Sequence, residues 1–170
     1  EGGDEIRGGA LDVLARLGIK VLLPEARDLF ESAGAQVIDE MVYCPADLIE
    51  GHVALAPKSI VIKGGVAERD ITLELGSLVF QPGAGCPHAT DLERGRRAGT
   101  LEDYLELTKL THHFDALQML PPLVEPQDVP MNLRHYETMR AQLTLSNKVP
   151  FVFSRGTPQV QQSLEWLTAV

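Results

Sequence analysis

Two short loops carry the side chains best suited to chemistry. They are Glu125-Pro126-Gln127-Asp128 and Ser154-Arg155-Gly156-Thr157. Each follows a short extended run, and when strands alternate with helices the working residues collect at the C-terminal ends of the strands. Two carboxylates in the first loop can neutralise a cation. A guanidinium in the second can hold a carboxylate through two parallel hydrogen bonds. The candidate ligand-binding residues are therefore Glu125, Gln127, Asp128 and Arg155. The same residues also admit a purely architectural reading. Asp128 can cap the helix that follows it, and Arg155 can pair within its own loop.

Other reactive residue types fall in less productive patterns. His112 and His113 are adjacent on a helical stretch, so they point in different directions and cannot share one metal. There is no H-E-x-x-H and no C-x-x-C, so a zinc site is not expected. Cys86 and His88 are close in sequence, but no third partner orients them as a nucleophile pair. Cys44 stands at the start of a helix, where a thiol pKa can fall. Its plainer role is that of a small residue before Pro45. Gly83-Ala84-Gly85 lacks the Gly-Lys-Ser/Thr ending of a phosphate loop and reads as a flexible turn.

The elements that must position these loops can be read from periodicity. Ala10, Val13, Leu14 and Leu17 recur at helical spacing over residues 5–17, and Gly18 sits where a helix stops. Pro24 opens a second helix that Gly34 closes, so the two are expected to form a helical hairpin. Residues 41–43 read as extended, and a third helix begins at Pro45 and ends before Pro57. SIVIK, ITLEL and SLVFQ then predict a three-run antiparallel meander, followed by a loop over residues 83–99. Thr100 is a good N-cap for a strong helix over residues 100–117, with Asp103 in the capping-box position. Its expected apolar stripe is Leu101, Tyr104, Leu105, Leu110, Phe114 and Leu117. An extended stretch over 118–124, a helix over 131–145, a strand at 149–153 and a helix over 159–167 complete the chain. Strand-helix alternation implies parallel pairing. Two such strands do not make a stable sheet alone, so the chain is expected to supply part of a larger domain.

Bulk properties narrow the function classes. The chain has 170 residues, 44% of them hydrophobic, which suits a globular core but is short for a closed barrel of eight βα units. A formal net charge of −9 argues against nucleic acid as a partner. Two widely spaced cysteines make no disulfide framework. The polar, glycine-rich start is unlike a signal peptide, and no apolar run reaches membrane-spanning length. The protein is expected to be cytoplasmic, with no membrane association.

The order of motifs resembles one family. GALDVLARLGIKV, LFESAGAQVID and CPADLIEGHVALAP come first. A loop with Asp91, Gly95 and Arg97 then leads into TLEDY, PQDVP follows at residues 126–130, and SNKVPFVF comes last. This colinear set is similar to the N-terminal portion of the trimethylamine methyltransferase family, with PQDVP after the TLEDY helix the best single signal. The resemblance implies an α/β fold in which N-terminal helices and a small β-meander (residues 1–99) precede the first βα units of a (β/α)8 TIM barrel (residues 100–170). It implies methyl transfer from a methylated tertiary or quaternary amine to a corrinoid protein, with no cofactor bound directly by this chain. Family members that use trimethylamine carry pyrrolysine, and those without it act on quaternary amines such as betaines; that position lies beyond the matched part. On this reading Glu125 and Asp128 counter the ammonium charge, and Arg155 takes the carboxylate if the donor is a betaine. A homo-oligomer is expected, because part of a barrel leaves apolar surface uncovered. The competing reading is a non-catalytic truncated homologue, or a fragment that acts as an oligomerisation or interaction module.

Overall fold

The computed structural model describes residues 2–169. Its contacts divide the chain into two units, one running up to Pro57 and the other from Lys58 on.

In the first unit, α1 (Gly2–Arg16) is followed by β1 (Ile19–Lys20), α2 (Pro24–Ser32), β2 (Gln36–Ile38), β3 (Met41–Tyr43) and α3 (Ala46–Ala54). The strands form an antiparallel sheet in the order β1-β3-β2, with Val42 facing both Ile19 and Val37. Val42 is fully buried, and Ala35, Cys44, Leu14, Phe30, Leu48 and Ile49 pack around it. The expected helical hairpin is replaced by this sheet. Ile19 and Lys20 pair with β3 between the two helices, so α1 packs mainly on α3 and β3, and α2 on β2. Gly18 makes the entry to β1 possible. Its φ is +71°, and a Cβ there would come within 2.7 Å of the Val42 carbonyl oxygen. Burial pushes the Cys44 thiol pKa up, so this cysteine is packed rather than activated.

The second unit opens with an antiparallel hairpin of β4 (Ser59–Ile62) and β5 (Ile71–Glu74). The predicted third run of a meander is absent. Gly76 adopts φ +94°, the Ser77 hydroxyl donates to the Thr72 carbonyl at 3.1 Å, and the chain turns away from the hairpin. Phe80 meets Gln118 instead: its N–H donates to the Gln118 Oε1 at 2.7 Å, and its carbonyl accepts the Gln118 N–H at 2.9 Å. The predicted loop over residues 83–99 holds a second hairpin, β6 (His88–Asp91) and β7 (Gly95–Ala98). Asp91 Oδ1 accepts the backbone N–H groups of Glu93 and Arg94 at 3.0 and 2.7 Å and so closes a tight loop that ends at Gly95 with φ +66°. HATD and GRRA lack apolar alternation, so turn chemistry rather than a hydrophobic face defines this hairpin.

The remainder is α4 (Leu101–His113), β8 (Met119–Leu120), α5 (Met131–Leu145), β9 (Val149–Pro150) and α6 (Thr157–Thr168). The predicted parallel pairing holds: Met119 faces Val149, Leu120 faces Pro150, and the Phe151 N–H donates to the Leu120 carbonyl at 3.0 Å. The core beneath this pair comprises Tyr104, Leu120, Leu123, Val124 and Ala141. The Tyr104 hydroxyl donates to the Thr138 carbonyl and accepts from Gln142 Nε2, which ties α4 to α5. Among the described residues, no sheet closes into a barrel. No helix among the described residues is long and apolar enough to cross a membrane.

The buried face of α4 differs from the predicted stripe. Tyr104, Thr108 and Thr111 are buried, whereas Leu110 and Phe114 are about half exposed (52% and 51%). Two threonines among the buried positions hide this face from a purely hydrophobic count. Leu110→Asp is therefore expected to leave this chain folded, with stability changed by less than about 1 kcal/mol. A urea titration against the parent chain checks this.

Candidate functional site

A cleft of about 470 Å³ lies at the C-terminal side of the parallel pair. Pro122 and Glu125 line it from the segment after β8, and Val152, Phe153 and Arg155 from the segment after β9. Met131, Asn132, Arg134, His135 and Thr138 of α5 and Gln159 of α6 complete the wall. Crossover connections bring the ends of parallel strands to one edge, which is why segments so distant in sequence meet here.

Glu125 is the hub of the cleft. Its backbone N–H donates to the Cys86 carbonyl at 2.8 Å. Its carboxylate lies 3.6 Å from Arg155 Nη2 and 4.0 Å from Arg134 Nη1. Arg134 is anchored by its Nε, which donates to the Val129 carbonyl at 2.9 Å. The backbone of Arg155 is fixed by an N–H···Oε1 bond to Gln159 at 2.6 Å, but its side chain is largely exposed. Behind them, His135 Nδ1 sits 3.1 Å from the Phe153 carbonyl, which only accepts, so Nδ1 carries the proton. His135 Nε2 meets the Ser163 hydroxyl, which also contacts Ser154 Oγ at 2.9 Å. This chain of contacts joins α5, α6 and the turn that presents Arg155.

Of the four residues singled out from sequence, Glu125 and Arg155 meet in the cleft, and Gln127 and Asp128 do not line it. The Gln127 side chain folds back to the Glu125 carbonyl, and its backbone N–H donates to the Gly99 carbonyl at 2.7 Å. Asp128 Oδ1 accepts the Leu101 N–H at 2.8 Å. It therefore caps α4, which precedes it, not the following helix as its architectural reading supposed. Gly99 allows this close packing, because a Cβ there would be driven into the buried side chain of Val124. Sequence reasoning missed Arg134, His135 and Gln159. The available signal was the helix face at 134, 135 and 138, directly after the first strand-end loop. Among the described residues, no group of three or more His, Cys, Asp or Glu is placed to hold a metal ion.

Comparison with known proteins gives the same family as the motif order. The family model for trimethylamine methyltransferase (MTTB) matches residues 1–170. A glycine betaine methyltransferase of Desulfitobacterium hafniense (strain Y51) is 25% identical over 162 residues, covering 95% of this chain and 34% of that protein. A trimethylamine methyltransferase MttB of Desulfitobacterium hafniense (strain DSM 10664 / DCB-2) is 25% identical over 170 residues, covering 97% of this chain and 34% of that protein. The chain thus spans about a third of the length of these curated relatives. The family's model runs the full length of the sequence, and the chain belongs to the trimethylamine methyltransferase family.

Proposed function

We propose that this protein is a methyltransferase that takes a methyl group from a methylated tertiary or quaternary amine and delivers it to a corrinoid protein. The full-length family match carries this reading. The cleft supports it. Its volume is that of a small-molecule pocket, and it lies where ligands gather in parallel α/β folds. A cleft of this size suits an amine donor, and on the family reading the corrinoid is carried by a partner protein. The cobalt of that partner supplies the methyl acceptor.

The task of the chain's own residues is to bind and orient the donor and to exclude water from it. The apolar side chains of Pro122, Met131, Val152 and Phe153 suit N-methyl groups. An aromatic face such as that of Phe153 attracts a quaternary ammonium. The βαβα order of β8, α5, β9 and α6 is that of the first units of a TIM barrel, and we assign it that role. The same reading makes the protein cytoplasmic and homo-oligomeric.

The test is demethylation by the natural gene product. Trimethylamine and glycine betaine are each supplied with a reduced corrinoid protein, and loss of the N-methyl signal is followed by nuclear magnetic resonance. Corrinoid-dependent loss from one of these amines is the expected result. No loss from either, with the protein folded, would reject the reading in favour of an interaction module.

A further inference from the structure

We propose that Gly85, which does not itself line the cleft, sets where the ring of Phe153 sits and so limits the size of the cation that the cleft admits. The proposal rests on the methyltransferase reading for the class of ligand, a methylated ammonium. The positioning is argued from the main chain around Gly85 alone.

Residues 80–86 run beside β8 and the segment that follows it. The Phe80 carbonyl accepts the Gln118 N–H at 2.9 Å. Further along, the Gly85 N–H donates to the Pro122 carbonyl at 2.7 Å, and the Cys86 carbonyl accepts the Glu125 N–H at 2.8 Å. Cys86 and Val124 form a parallel bridge. Gly83-Ala84-Gly85 is therefore no free turn. Its last residue is tied to the stretch that carries Pro122 and Glu125 into the cleft.

Gly85 reaches the cleft through Phe153. Its φ is +71°, and a Cβ added to it would lie 3.3 Å from Cε2 of the Phe153 ring. That is shorter than the optimal carbon–carbon separation of about 3.5–4.0 Å. The ring has few ways to yield. The Phe153 carbonyl pairs with His135 Nδ1 at 3.1 Å, so the main chain is held. Phe151 meets the ring edge-on, with centroids 5.5 Å apart. The cleft is the open side that remains, and a ring displaced from Gly85 turns into it. The missing side chain at position 85 keeps the ring back and the cleft wide.

An aromatic face attracts a quaternary ammonium through its charge. Shifting that face by a fraction of an ångström changes the attraction little. It changes the fit more, because a close-packed wall responds to a single methylene. The signature of Gly85 is therefore size selectivity rather than cation binding in general.

The experiment is a calorimetric titration of the natural gene product with tetramethylammonium and ethyltrimethylammonium. The readout is the ratio of the two dissociation constants. Gly85→Asn should weaken the ethyl probe at least about tenfold more than the methyl one. Asparagine tolerates positive φ better than other side chains, so the main chain should keep its course. Gly95→Asn is the control. Its φ is +66°, but a Cβ there would meet nothing within 4 Å, so the ratio should match the parent's. Gly85→Ala should shift the ratio the same way by a smaller factor, and it serves if circular dichroism shows the asparagine variant unfolded. Gly85→Asn combined with Phe153→Leu should bring the ratio back while both cations bind more weakly, because leucine gives room but offers no ring face. An unchanged ratio in folded Gly85 variants, an equal shift in Gly95→Asn, no recovery in the double variant, unfolding of both Gly85 variants, or no binding of either cation by the parent would overturn the proposal. Demethylation of trimethylamine or glycine betaine alongside an unchanged ratio would end the role of Gly85 but leave the methyltransferase standing. A ratio that depends on Gly85 without any methyl transfer would do the reverse.

Discussion

Asp103→Ala is expected to destabilise the chain by about 3 kcal/mol, because it removes a helix cap and a buried charge partner together. Asp103 is 3% exposed. Its Oδ2 accepts from the backbone N–H and the hydroxyl of Thr100, while Thr100 Oγ1 accepts the Asp103 N–H in return. The Arg97 guanidinium pairs with its other oxygen, and Arg94 Nη2 lies 3.6 Å away. Truncation leaves Arg97 with Asp91, 2.8 Å away, as its remaining carboxylate partner and opens the first turn of α4. Asp103→Asn keeps part of the cap but not the charge, so it should fall between the parent and Asp103→Ala. The drop in urea midpoint measures both.

Acid should act on the same cluster. Burial pushes the Asp103 carboxyl up, but the hydrogen bonds from Thr100 and the pair with Arg97 outweigh it and leave the group below the usual carboxylate range. Asp91 is held at about 2, first by the Arg94 backbone N–H and then, against burial, by the Arg94 and Arg97 side chains. An unfolded carboxyl takes up its proton near pH 3.9, while these two remain ionised in the folded chain. Their contribution is thus complete above that pH and is lost as pH falls towards 2. In Asp103→Ala the acid limb of the stability curve should become shallower, since one of the two groups is gone.

Leu120→Ala should cost a comparable amount, about 2–5 kcal/mol. Leu120 is fully buried in β8 and packs in one cluster with Tyr104, Leu123, Val124 and Ala141. Truncation both removes apolar surface and leaves a cavity among side chains that belong to several elements. For a small domain with about 5–15 kcal/mol in total, that is a large share. Leu120 also starts the segment that carries Pro122 and Glu125 into the cleft. Ligand binding should therefore weaken along with the urea midpoint, although Leu120 does not line the site.

The two mutations mark how far the sequence could be read. Thr100 and Asp103 were legible because a capping box is local, with both partners within one helical turn. The parallel pairing of β8 and β9 was legible from the alternation of extended and helical runs. The β6–β7 hairpin was not, because Asp91 and Gly95 build it through backbone hydrogen bonds in a segment with no apolar period. Leu110 was misplaced because Thr108 and Thr111 are buried at positions where the pattern invited leucine. In the cleft, Glu125 and Arg155 announced themselves by lying in loops after strands. Arg134 lay within a helix, where an arginine looks like ordinary solvated surface, and only the tertiary fold shows it beside Glu125.

Both ends of α4 are held by side chains from distant parts of the chain. Asp128 takes the Leu101 N–H at one end. At the other, the buried Lys148 ammonium donates to the carbonyls of Thr111 and Phe114 at 2.6 and 2.5 Å. Helix termini usually fray first, since their last N–H and C=O groups lack partners. Here neither terminus can fray without releasing the loop after β8 or the start of β9. The helix therefore opens together with the strand ends that form the cleft, and the rigidity of the site is set as much by this clamped helix as by the residues that touch a ligand.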